Sequence, residues 1–314
     1  MLINTVLVFL QNILPIFVVI SFLYAQQGVN GQFSSLQKAQ LNNKLCDHLS
    51  NQDNYITADL SLIYLLKTIG FGLIIVLLLS YFMPELSQLF LGKGLEIFYS
   101  ILFSLIYGCT VFSFLYNTEA SHKQGQGKDL LDQQTLIQQT LSHKIPVVSL
   151  AILLLVLCVH GSYFSLYVMS LTIQNTAIET LYSGIVVGVI IGTGICLSIA
   201  ILLYFILVTI AKKTGRKIVS YFLLLFGVGQ LIQGLQLLEQ VDIISSNVPL
   251  WSTNYLIAEN SELGYFLTIL FGYEATPSVM ELLVFLSAII VPIFVAKIIV
   301  YQQNTTAFSM KGTY

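Results

Sequence analysis

Seven stretches of this chain are almost uninterruptedly apolar, and each runs for about 20 residues, the length an α-helix needs to cross a hydrocarbon core. They lie near residues 2–25, 60–82, 95–116, 146–170, 181–210, 218–238 and 279–301. Backbone inside lipid has no water to bond to, so each run must satisfy its own N–H and C=O groups and is predicted to be helical. The charged fraction agrees, because only 9% of the 314 residues are Asp, Glu, Lys or Arg, whereas water-soluble domains carry roughly 25%. The predicted fold is all-α, a polytopic membrane helix bundle with seven transmembrane helices. It forms a single membrane domain over 1–314 with no soluble module, and its first partner is the lipid bilayer.

Lys and Arg are retained on the cytoplasmic side of short loops, and here they alternate. Lys38 and Lys44 follow the first run, Lys123, Lys128 and Lys144 the third, and Lys212, Lys213, Arg216 and Lys217 the fifth, with Lys311 in the tail. Only Lys93 falls clearly on the opposite side. This pattern predicts an N-terminus outside and a C-terminus inside. The first run is predicted to stay as a span, since no Lys or Arg precedes Lys38 and the run exceeds the core of a secretory signal. Lys67 lies within reach of the inner surface and is expected to snorkel there.

Several function classes fall away on composition. No basic cluster suggests nucleic acid, and no nucleophile–base constellation suggests a hydrolase, so an enzyme is not expected and no cofactor is called for. Cys46, Cys109, Cys158 and Cys196 have neither metal-site nor disulfide spacing. His160 is the one histidine clearly inside a run, so the paired axial ligands of a membrane haem are missing. Gly184, Gly188 and Gly192 share one helix face and are expected to admit a neighbouring helix. From Lys128 to Leu141 the apolar residues recur at helical spacing, which predicts a short amphipathic helix at the inner face. The last outer loop holds Glu239, Asp242, Glu259 and Glu262 without a Lys or Arg, a charge balance that attracts cations.

The most specific stretch lies between Pro249 and Leu283. Its landmarks are Trp251, Leu263-Gly264, Gly272-Tyr273 and Pro277-Ser278, followed by the last apolar run. This order resembles the C-terminal loop of the oxidase-dependent high-affinity iron permeases of fungi and bacteria. It departs from them at Ser252, where the family usually has Asp. The resemblance implies seven helices, transport of iron across a plasma membrane, here that of a bacterium, and a ferroxidase or periplasmic iron-binding partner.

The family's chemistry resides in an Arg-Glu-Gly-Leu-Glu motif in the first and fourth helices, where carboxylates at i and i+3 share a face and offer oxygen to a hard cation. Aligned with the first copy, this chain has Gln11, Asn12 and Pro15 in place of the Arg and both Glu. Aligned with the second it keeps Gly161, but Val159, His160 and Tyr163 replace the charges. A third acidic pair of the family, at the start of the third helix, corresponds to Glu96 and Tyr99. Two readings follow. In one, a rebuilt metal site uses Glu96, Tyr99, His160, Tyr163 and Asn12, helped by a carbonyl that a helix break at Pro15 exposes. In the other, the site has decayed and the scaffold serves as a non-transporting subunit of a membrane complex. Glu281 is either a carboxylate of the first turn of the last helix, favoured by its dipole, or part of an ion path.

Overall fold

The computed structural model describes residues 2–42, 50–126, 131–174, 178–215, 217–244, 249–258 and 261–311. Among the described residues eight α-helices follow one another: α1 Leu2–Asn42, α2 Ser50–Gln88, α3 Gly94–Gln126, α4 Leu131–Gln174, α5 Ile178–Thr214, α6 Lys217–Gln240, α7 Glu262–Phe271 and α8 Val279–Lys311. All except α7 are long and apolar enough to cross a membrane. The chain is an all-α, multi-pass membrane protein, as its apolar runs predict.

The helices outrun their apolar segments. The separate amphipathic helix expected from Lys128 onward is instead the opening of α4, which begins at Leu131 and continues into the fourth span. Leu and Gln there are good helix formers, and no glycine interrupts the chain before Gly161. Lys44, Cys46, Lys128 and Glu259 lie outside the described residues. Between α2 and α3 lies a 3-10 turn at Leu89–Gly92, with Phe90 (φ 52°) and Leu91 (φ 62°) in the left-handed region.

The chain forms two compact units. The first comprises Met1–Gln88 with Ile152–Val219, and the second Leu89–Ala151 with Ser220–Tyr314. In the first unit α1 packs along α5, where a Cβ at Gly192 would stand 2.5 Å from the Phe9 ring, and Ser21 Oγ donates to the Ala200 carbonyl at 2.9 Å. Gly188 is buried as well, but Gly184 faces open space, so the expected glycine face is used only toward its C-terminal end. α2 packs along α4 through Gly72 against Leu157, Gly161 against Val76, and a 2.8 Å bond between the Ser80 and Ser165 hydroxyls.

In the second unit α6 runs antiparallel to α3. Gly227 receives Thr110, and Gly234 receives Phe103 and the Ser100 backbone, so small residues let the two backbones approach. α8 runs parallel to α3, tied by the Tyr107 hydroxyl donating to the Ala288 carbonyl at 3.0 Å. Phe114, Leu224 and Ala296 close a core among the three helices. One regularity spans these pairings. Exchange of the first three spans with the next three turns α1·α5 into α2·α4 and leaves α3·α6 as it is. That is the pattern of a chain built from two three-helix repeats, which sequence similarity alone does not display.

Candidate functional site

Within the first unit α1 and α4 meet antiparallel. Thr5 Oγ1 lies 3.3 Å from the Tyr167 hydroxyl, and the Phe9 and Phe164 rings meet edge to face at 5.2 Å. One further turn along each helix sets Asn12 level with His160. His160 is buried and Tyr163, three residues on, is half-buried. Asn12 Nδ2 donates to the Val8 carbonyl at 2.8 Å, which leaves the amide oxygen as its acceptor. α1 is helical straight through Pro15, so the break expected there does not occur. The buried ring is held by flanking helical turns, and what Pro15 removes is a single ladder bond to Gln11. Gly161, the glycine kept from the second motif, receives Val76 of α2.

The other expected residues belong to the second unit. Tyr99 is fully buried, with its ring 6.0 Å from that of Phe98. Glu96, one turn earlier on α3, has a carboxylate oxygen, Oε2, that is buried without a hydrogen-bond partner. Trp251 is half-exposed in the loop before α7. Glu281 is buried in the first turn of α8, where its carboxylate accepts from the Ser278 N–H at 2.7 Å while the Ser278 hydroxyl accepts from the Glu281 N–H at 3.2 Å. This is a reciprocal capping box, so the helix-start role is the one its geometry fills. Among the described residues no three His, Cys, Asp or Glu side chains gather closely enough to hold a metal ion.

A polar feature that the apolar count passes over lies on α6. Gln230, Gln233, Gln236 and Glu239 recur every third residue through the half of the span that ends at Gln240. The chain between α7 and α8 runs beside Gly229, Gln236 and Glu239 of this helix. Gly272 (φ 66°) ends α7 in a left-handed cap and touches Gly229, midway along α6, backbone to backbone. From there the chain climbs in extended form. Gln236 Nε2 donates to Glu274 at 2.9 Å, and the Ser278 hydroxyl lies 3.5 Å from the Glu239 carboxylate. On its other side the climbing segment pairs with residues 249–253, through Leu250 N–H to Pro277 O at 3.0 Å and Thr253 N–H to Ala275 O at 2.8 Å. Tyr273 is fixed by its hydroxyl, 2.8 Å from Thr253 Oγ1 and donating to the Ile257 carbonyl at 3.0 Å. Lys93 donates to the Val241 carbonyl just past the end of α6. The sequence signal for these polar residues was present as a three-residue period of amides, but averaging over an apolar window conceals it.

No family model matches the chain, and neither a curated protein nor a solved structure does so.

Proposed function

We propose that the protein is a divergent permease of the iron-permease type, which moves an iron ion inward across the plasma membrane through a substituted site. The observation that carries this reading is the register of α1 on α4, which sets Asn12 level with buried His160 inside the span. These are the two helices, at the two positions, where the resembled family places its motifs. An amide oxygen, an imidazole and the Tyr163 phenol offer the ion neutral donors there, and in the other unit Glu96 and Tyr99 stand one turn apart on α3 as a separate carboxylate and phenol. The N-terminus is outside, and a ferroxidase or periplasmic iron-binding protein delivers the ion.

The test is uptake of radioactive iron by bacterial cells that lack their own high-affinity permease. The natural chain is expected to support uptake, and His160→Ala, Asn12→Ala and Glu96→Ala each to reduce it at least about tenfold, the loss expected when a charge-bearing or ligating contact worth more than 1.4 kcal/mol is removed. A second reading is favoured by the lack of any gathered triad of His, Cys, Asp and Glu among the described residues: a non-transporting subunit of a membrane complex. It predicts uptake only in a chain restored by Gln11→Arg, Asn12→Glu, Pro15→Glu, Val159→Arg, His160→Glu and Tyr163→Glu, and co-purification of the natural chain with a membrane partner.

A further inference from the structure

We propose that the turn Leu89–Gly92 is an interfacial anchor, which lays Leu89, Phe90 and Leu91 among the headgroups and upper acyl chains of the leaflet at the Gln240 end of α6. Its depth is fixed within the second unit. Lys93 donates its ammonium to the carbonyl of Val241, just past the span Lys217–Gln240, so the residues before Lys93 stand where the hydrocarbon core gives way to headgroups. Farther along α3 the Ser100 backbone lies against Gly234, which gives the same antiparallel register. The apolar run that contains the turn, Tyr64–Gly92, is 29 residues long, whereas about 20 cross the core. Its surplus belongs to the boundary.

What the turn presents there is apolar. Leu89 is 52% exposed, Phe90 68% and Leu91 100%, so the described chain covers them little or not at all. A turn that faces water is made of residues such as Gly, Asn, Asp and Ser, and its left-handed positions fall to Gly, Asn and Asp. Here those positions hold Phe90 (φ 52°) and Leu91 (φ 62°), with glycine only at Gly92 (φ 89°). For bulky side chains the left-handed conformation is strained. Such strain persists only where the surroundings impose it. Exposure to water would add a second penalty to the first, because each apolar side chain would then be hydrated. Insertion into the leaflet removes that second penalty.

The bilayer is the occupant because the apolar surface leads into the turn along the chain. The same run exposes Leu77, Leu78, Tyr81 and Phe82 before it reaches Leu89, and aromatic side chains of this kind gather at the membrane boundary. Lys93, the charge nearest to the turn in sequence, is engaged by the Val241 carbonyl, and the Lys93 N–H closes the turn on the Phe90 carbonyl at 3.3 Å. The anchor thereby sets the depth at which α3 begins, and with it the level of Glu96. It does not depend on which ion the protein moves.

The test is fluorescence of the full chain in liposomes, with Trp251→Phe removing the single native tryptophan and Phe90→Trp or Leu91→Trp introducing one at the turn. Ile290→Trp, on the exposed surface of α8 and near the middle of its span, is the reference inside the core. Each variant that elutes as a single species from size exclusion is measured with iodide in the buffer, and with lipids brominated either near the headgroup or near the chain end. The expected result at the turn is loss of most of the emission to the shallow bromines, a smaller loss to the deep ones and little loss to iodide. Ile290→Trp is expected to reverse the order of the two lipids. Strong iodide quenching without quenching by either lipid places the turn in water and overturns the anchor. Quenching by none of the three means that protein covers the turn, a second copy or another partner, and overturns it equally. Stronger quenching by the deep bromines overturns the interfacial depth. Iron uptake enters none of these readings, so a failed uptake assay leaves the anchor standing.

Discussion

Gly229 and Gly272 show how one atom decides a local structure. A Cβ on Gly229 would stand 2.9 Å from the Gly272 nitrogen, and one on Gly272 would stand 2.7 Å from the Gly229 Cα while also occupying a left-handed φ of 66°. Backbone cannot step aside as a flexible side chain can, so either methyl forces α7 away from α6. Gly272→Ala is expected to cost about 1–2 kcal/mol for the left-handed conformation alone, with the clash added, and Gly229→Ala to cost about 1–3 kcal/mol as an overpacking change. Both should lower the melting temperature of the detergent-solubilised protein, and Gly184→Ala, in open space, should not. An unchanged melting temperature for Gly229→Ala would contradict the contact. Gly272 was visible in the sequence as a landmark, but its partner was not, because no pattern within α6 announces which of its glycines meets a backbone forty residues later.

For the elements, the start of α8 is set by Ser278-Val279-Met280-Glu281, a capping box legible in the sequence once the helix start is known. Ser278→Ala removes the N-cap acceptor and the contact to Glu239 together. The expected loss is about 1 kcal/mol of stability, seen as a lower thermal midpoint, with Ser278→Thr restoring most of it. No change in the midpoint would mean that the bonds at this corner are dispensable. Helix ends were less legible than helix existence. Apolar runs mark the part of a helix that lies in lipid, so α1 and α4 exceed the predicted spans by many residues, Gln and Lys among them, that favour helix without favouring lipid. α7 escaped for the opposite reason: its 10 residues, about 15 Å of helix, are too few to register as a span.

Across the whole molecule the number of spans followed from composition, since nothing but helix satisfies a lipid-immersed backbone in an open chain. Which helices pair did not follow, because α1 with α5 and α3 with α8 are choices made between side chains far apart in sequence. The charge pattern makes one more claim at this scale. Alkaline phosphatase fused after Gly215, beside Lys212 and Lys213, is expected to remain inactive in a bacterial host, and the same reporter fused after Asp242 to be active. The opposite pair of activities would invert the proposed orientation. The polar residues of α6 also bear on how the protein is made. Synthesis delivers α6 to the bilayer before Glu274 and Ser278 exist, so for that interval Gln236 and Glu239 lack the partners they later hold. Those bonds close only when the residues that follow α6, through Ser278, fold back beside it, so this part of the helix takes its final hydrogen bonds after the helix itself has been made.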